Sequence, residues 1–103
     1  MFSKLEEKYG DDFNWGVTDN SGFLVEVTSE LNNQHPLFDR IEKVIARCYS
    51  NDDVLFLLNN GNYVIVHLTY LKINTAGFPA YKEFSDICTA LEFIEKQFVS
   101  DFL

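Results

Sequence analysis

The sequence predicts an α+β fold: a small, mostly antiparallel sheet of three to five strands packed against two or three helices. Three observations carry this prediction. Val54-Leu55-Phe56-Leu57-Leu58 and Tyr63-Val64-Ile65-Val66-His67-Leu68-Thr69-Tyr70 are two strand-forming runs separated by Asn59-Asn60-Gly61-Asn62, and Asn-Gly between such runs is the strongest short-range hairpin signal. Ile87, Leu91, Ile94, Phe98 and Phe102 fall within about 80° on a helical wheel. The chain has 103 residues, 47% of them apolar, which is the size and composition of one ordinary domain spanning 1–103.

Taken in order, Leu5 to Tyr9 can form a short helix closed by Gly10, a residue that adopts the left-handed backbone of a helix end without strain. Asp11 to Trp15 reads as a loop or short edge strand, and Asp19-Asn20-Ser21-Gly22 as a turn cluster. Phe23 to Thr28 is rich in strand formers, with Phe23, Val25 and Val27 on one face. Pro36 to Tyr49 reads as the clearest helix. Proline suits a first helical position, and Leu37, Phe38, Ile41, Val44, Ile45 and Cys48 make an apolar stripe about 120° wide. Arg40, Lys43 and Arg47 then gather on its flank, as a solvated helix face first and otherwise as a docking patch or an internal partner for the acidic ends. In the hairpin, Val64, Val66, Leu68 and Tyr70 suit the core, while Tyr63, Ile65, His67 and Thr69 share the opposite face. Residues 71–85, with Asn74, Gly77 and Pro79, read as a loop with a short edge strand near Tyr81 to Phe84. Ser85 or Asp86 caps a last helix, Ile87 to about Phe102. Burial is expected at Ile41, Val44, Val64, Val66, Leu91 and Phe98.

Charge narrows the function. Sixteen acids against eight bases give a net charge of −8, the wrong sign for a protein that must neutralise phosphates. Direct nucleic-acid binding is therefore not expected. Residues 1–35 hold seven acids and two bases, and residues 83–103 hold five acids and one base. If the two ends lie together they form one negative surface, suited to a basic protein partner. Asp11, Asp12, Asp19, Glu92 and Glu95 are the carboxylates expected to meet that partner, with Trp15 and Phe93 as aromatic anchors. Phe93 is singled out because it lies off the apolar stripe of the last helix.

Catalytic signatures are sparse. His67-Leu68-Thr69 has the H-x-T spacing that puts both side chains on one strand face, as in phosphodiesterases that use two such motifs for general acid and base. His35 is followed by Pro36-Leu37, so a second copy is missing. A small hydrolase using His67 and Thr69 is the alternative to a binding module, and a structural subunit or homodimer is a third. Cofactor and metal ligation are not expected, because C-x-x-C, H-x-x-x-H, EF-hand and glycine-rich phosphate motifs do not occur. Asp11-Asp12 and Asp52-Asp53 read as turn residues. Cys48 and Cys88 both fall on apolar helical faces and are expected to be buried free thiols of a cytoplasmic protein. The N-terminal Met1-Phe2-Ser3-Lys4-Leu5-Glu6-Glu7 lacks the basic-then-apolar pattern of a signal peptide. No apolar run approaches the ~18 residues of a membrane span.

At Asp52–Phe56, Tyr63–Tyr70 and Phe78-Pro79-Ala80-Tyr81-Lys82-Glu83-Phe84 the chain resembles small uncharacterised bacterial proteins of similar length. In size and acidity it also resembles immunity proteins, which neutralise a cognate toxin in bacterial competition systems. That resemblance implies a stoichiometric inhibitor in the cytoplasm, blocking a basic and possibly nucleolytic toxin by placing carboxylates where phosphates would sit. It carries over no catalytic residue.

Overall fold

The computed structural model describes residues 1–71 and 78–103. Its elements are α1 (Ser3–Tyr9), a 3-10 turn (Gly10–Asp12), β1 (Trp15–Val17), α2 (Ser21–Glu30), β2 (Ile41–Cys48), β3 (Asp53–Leu58), β4 (Tyr63–His67), β5 (Tyr81–Phe84) and α3 (Ile87–Phe102). The five strands form one antiparallel sheet in chain order, β1-β2-β3-β4-β5. The fold is thus α+β, with three helices around a five-stranded meander.

The hairpin forms where its turn chemistry places it. Asp53 pairs with His67 and Leu57 with Tyr63, and Gly61 sits in the turn at φ +88°, a backbone that only glycine adopts without strain. Both faces of this hairpin are covered. Val54, Phe56, Leu58, Val64, Val66 and Leu68 pack with Val27, Leu31 and Leu37 on the α2 side. Leu55, Ile65 and Phe84 pack with Ala90, Ile94 and Phe98 of α3 and with Phe2, Phe13 and Trp15 on the other. The sheet is therefore the middle of three layers. Its central strands are continuously apolar because neither face meets water.

Two elements differ from their predicted type. Residues 41–48 are a strand and not a helix, while residues 21–30 are a helix and not a strand. In β2 the register slips between Val44 and Ala46. This bulge leaves Ile45 and Ala46 packed with the α3 cluster while Val44 packs with the α2 cluster. The extra residue breaks the two-residue alternation, and the broken pattern imitates helical spacing. In α2 the Asn20 side chain accepts the Gly22 N–H at 2.9 Å and caps the helix. Val27 is fully buried one turn after the half-buried Phe23 and Leu24. Burial of that face outweighs the weak helix propensity of its valines, which costs only some tenths of a kcal/mol each.

Smaller corrections follow from these. Arg40, Lys43 and Arg47 do not form a helical flank, since Lys43 and Arg47 lie on β2 and Arg40 precedes it. Cys48 is buried on β2, and burial raises its thiol pKa, but Cys88 is exposed on the first turn of α3. Val44, Val64, Val66 and Phe98 are buried, whereas Ile41 and Leu91 are only half-buried. Tyr70, expected in the core, is exposed. The edge strand at Tyr81–Phe84 and the helix Ile87–Phe102, capped by Asp86 accepting the Thr89 N–H at 2.7 Å, form as predicted. Of the predicted loop, Asn74 and Gly77 lie outside the described residues.

Candidate functional site

The two acidic ends of the chain meet in the layer formed by α1, the 3-10 turn and α3. The Tyr9 ring packs on Phe98 at 4.7 Å, and Phe13 meets Phe98 edge-on at 5.5 Å. Beside them the Tyr9 hydroxyl donates to Glu95 Oε2 at 2.6 Å, and Lys8 Nζ reaches the same oxygen at 2.9 Å. Those two hydrogen bonds hold the Glu95 carboxyl below its ordinary range. A shallow groove of about 490 Å³ runs along this seam, lined by Lys8, Tyr9, Glu92, Glu95, Lys96 and Val99 among others. A second groove, about 380 Å³, lies on the opposite flank of α3 between Phe93 and the β5 side chains Lys82 and Phe84. Glu92 and Lys96 line both grooves.

The predicted contact residues separate within this geometry. Asp11, Asp12 and Glu92 are exposed in the α1/α3 layer. Glu95 is half-buried and already bonded. Phe93 is half-buried, its ring 5.4 Å from Phe84 and under the Lys82 ammonium at 4.7 Å, so it is part of a small cluster and not a bare anchor. Trp15 is 7% exposed and sits in the core, which leaves it no face for a partner. Asp19 is exposed on the connection between β1 and α2. Arg40 reaches the C-terminal acidic segment, making a two-pronged pair with Glu83 at 3.1 and 2.8 Å. Arg40 is thus an internal partner for that segment, one of the readings open to the basic cluster.

The H-x-T pair is drawn apart. His67 Nδ1 lies 2.7 Å from Asp53 Oδ1 across the hairpin. Thr69 lies past the end of β4, and its hydroxyl donates to Glu30 Oε1 at 2.8 Å. The two side chains are thus engaged by different carboxylates.

Glu30 is the polar residue that sequence reasoning missed. It closes α2, is 3% exposed, and accepts the N–H groups of Thr69 (2.9 and 3.1 Å) and Tyr70 (2.9 Å) as well as the Thr69 hydroxyl. One turn earlier on the same helix stands Glu26, and its interaction with the Glu30 carboxyl, then burial and charge repulsion, pushes its pKa up to about 7. Burial pushes Glu30 up as well, but the bonds from Glu26, Thr69 and Tyr70 outweigh it and leave its pKa lowered. The spacing of four residues was the available signal. It means nothing on a strand, where the two side chains lie far apart. On β2 the Arg47 guanidinium stacks on the Phe23 and Tyr49 rings at 5.3 and 5.2 Å.

No group of three or more His, Cys, Asp or Glu side chains could hold a metal ion among the described residues. No helix among them is long and apolar enough to cross a membrane. Comparison with protein-family models, curated proteins and solved structures gives no match.

Proposed function

We propose that this protein is a binding module for a basic protein surface, and that its contact face is the α1/α3 layer. The supporting observation is the seam at Glu95, where Lys8 and Tyr9 of one acidic end are tied to α3 of the other. Asp11, Asp12 and Glu92 stand exposed in the same layer, and Glu92 lines a groove with Lys8, Tyr9, Glu95, Lys96 and Val99. With Lys8 already paired to Glu95, the exposed carboxylates of this layer suit a partner that presents arginine or lysine, because the stem of such a side chain can cover Tyr9 and Val99 while its charge meets oxygen.

The most concrete form of this function is stoichiometric inhibition of a bacterial toxin, as the resemblance to immunity proteins suggests. An inhibitor of that kind needs no turnover chemistry. It needs fast, charge-steered association and a rigid face, and a net charge of −8 on a three-layer domain is suited to both.

The test is recovery of a complex from the native host, or by co-expression with neighbouring genes, followed by rate measurements against ionic strength. The expected result is an on-rate that falls steeply as salt shortens the Debye length from ~10 Å at 0.1 M to ~3 Å at 1 M. A tight complex whose on-rate ignores salt would remove the acidic-surface mechanism. Turnover of a small molecule with no protein partner would remove the whole reading.

A further inference from the structure

The sheet ends at β5 with one edge open. The His67 N–H donates to the Ala80 carbonyl at 2.9 Å, and along the same register Ile65 pairs with Lys82 and Tyr63 with Phe84. In an antiparallel ladder the hydrogen-bonding direction alternates from residue to residue. Ala80, Lys82 and Phe84 therefore turn their backbone groups toward β4, while Tyr81 and Glu83 turn theirs outward. Among the described residues no strand lies beyond β5, and neither Tyr81 nor Glu83 has a backbone partner on that side. Two N–H groups and two carbonyls stand unpaired in a row.

The side chains alternate as well. Tyr81 and Glu83 lie opposite Val66 and Val64 on the α2 side, where Glu83 is held by Arg40 and Asn62. Lys82 lies opposite Ile65 on the α3 side, and Phe84 packs there too. Phe84 is 5.4 Å from the Phe93 ring, and the Lys82 ammonium stands 4.7 Å from the centre of that ring. With Thr89 and Lys96 these residues line the groove of about 380 Å³ between β5 and α3, and Glu92 lines it as well. Lys82 makes no ion pair among the described residues. A strand laid along β5 would place every second side chain beside this groove.

A second copy of this chain fits that edge badly. Two β5 strands related by a two-fold axis must pair residues of the same face. Centred within the strand, they set Lys82 against Lys82 or Glu83 against Glu83, and like charges directly opposite are destabilising. Centring on Tyr81 brings Pro79, which has no N–H, into the ladder, and centring on Phe84 brings in Ile87, where α3 begins. We propose that β5 is a strand-accepting edge for a different protein: an extended segment adds antiparallel as a sixth strand, with a carboxylate opposite Lys82 and an apolar side chain opposite Phe84. Backbone bonds to Tyr81 and Glu83 supply the attachment, and the groove selects the side chains. Lys82 acts as the filter, since it opposes its own copy and favours an acid. This edge is separate from the surface proposed for a basic partner, and neither reading depends on the other.

The probe is the peptide Thr-Leu-Thr-Glu-Thr, capped at both ends, whose leucine falls opposite Phe84 and whose glutamate falls opposite Lys82. It is titrated into the full chain and followed by NMR. At saturation, amide exchange at Tyr81 and Glu83 should slow about tenfold. Exchange at Val17 should not change, although its N–H also faces outward, on the opposite edge at β1. Methylating the amide nitrogen of the central threonine removes the bond to the Glu83 carbonyl and should weaken binding about tenfold. Lys82→Glu should weaken the glutamate peptide by about as much, and a peptide with lysine in the glutamate's place should restore the affinity. Unchanged exchange at Tyr81 and Glu83, or equal slowing at Val17, would overturn the proposal. So would a methylated peptide that binds as well as the parent, or a Lys82→Glu chain that prefers the same peptide as wild type. Slow exchange at Tyr81 and Glu83 without peptide, in a chain that sediments as a dimer, would give the edge to a second copy and overturn the assignment to a different protein.

Discussion

The two sides of the sheet use carboxylates in opposite ways. On the α1/α3 side Asp11, Asp12 and Glu92 are exposed, and water and salt can screen them. Their influence is long-range and collective, and no single one is needed for the fold. On the α2 side Glu30 is almost fully buried and meets Thr69 and Tyr70 through short, directed bonds. Its influence is local, and the fold depends on it. Burial, more than residue type, decides whether an acid is left free for the proposed recognition or is built into the architecture, and the following variants probe that division.

The largest effect should come from the apolar layer beneath the α2 face. Phe56 is fully buried among Val27, Leu37, Val44 and Val64. Phe56→Ala should cost roughly 3–5 kcal/mol in chemical denaturation. Phe93→Ala, on the α3 side, removes a half-exposed ring and should cost clearly less. Equal losses would mean that the two layers are not packed as described.

Next comes Glu30. Glu30→Gln keeps the shape but offers one acceptor and an N–H₂ group where two acceptors are needed. It should destabilise the domain by about 2–3 kcal/mol, the usual cost of unpaired buried donors. Glu95→Gln is the matching change on the other side, and there the melting temperature should stay within a degree or two of wild type. A larger loss at Glu95 than at Glu30 would reverse the division between the faces.

The pH dependence has a definite sign. Glu26 has a raised pKa in the folded protein, so its stabilising contribution is complete below the ordinary glutamate value near 4.5 and is lost as pH rises to about 7. Glu30 has a lowered pKa, so its contribution is present above about 4.5 and is lost in more acidic solution. Stability to urea should therefore peak near pH 5 and decline to pH 7. In Glu26→Gln the decline should disappear while the acid limb remains.

On the exposed side, reversing Asp11, Asp12 and Glu92 together should lower the on-rate for a basic partner by about tenfold at low salt and leave the off-rate nearly unchanged. The melting temperature should not fall. Binding loss by a faster off-rate would point to specific contacts in the groove instead of steering.

How much of this was legible depends on what each segment must satisfy. The hairpin, β5 and α3 carry their own signals: Asn60-Gly61 for the turn, Asp86 for the cap, and Ile94 and Phe98 one turn apart for the buried stripe. Their local preferences agree with their tertiary roles. Residues 21–48 do not show that agreement. The bulge at Ile45 hides the strand period of β2, and the sheet, covered on both sides, rewards apolar residues at odd and even positions alike. For α2, Val25 and Val27 favour a strand by local preference, but a second covering layer over Phe56 and Val64 requires a helix. The candidate surface suffered in proportion. Asp11, Asp12 and Glu92 could be found from charge alone, because exposure is the default for an acid. Trp15 could not be assigned, because an aromatic ring at an edge strand can face either way. The Glu26–Glu30 pair was invisible while its segment was read as a strand.

The smallest effect concerns His67. Its ring is more than half exposed and pairs with Asp53, which lies directly opposite in the hairpin register. An exposed pair of this kind contributes only about 0.2–1 kcal/mol. Thr69, the other half of the H-x-T spacing, is held by Glu30 on the α2 side, so a substrate contacting His67 would not find the threonine hydroxyl beside it. His67→Ala should therefore leave partner binding and biological activity within about twofold of wild type and lower stability only slightly. The check is a side-by-side measurement of activity and melting temperature, with Asp53→Asn as the companion that removes the other half of the pair. A hundredfold loss of activity in a His67→Ala protein that still melts normally would show that the α3 side of the sheet, where His67 shares a face with Ile65, holds chemistry as well as exposed charge. The division between the faces would then fail at the residue where it is expected to matter least.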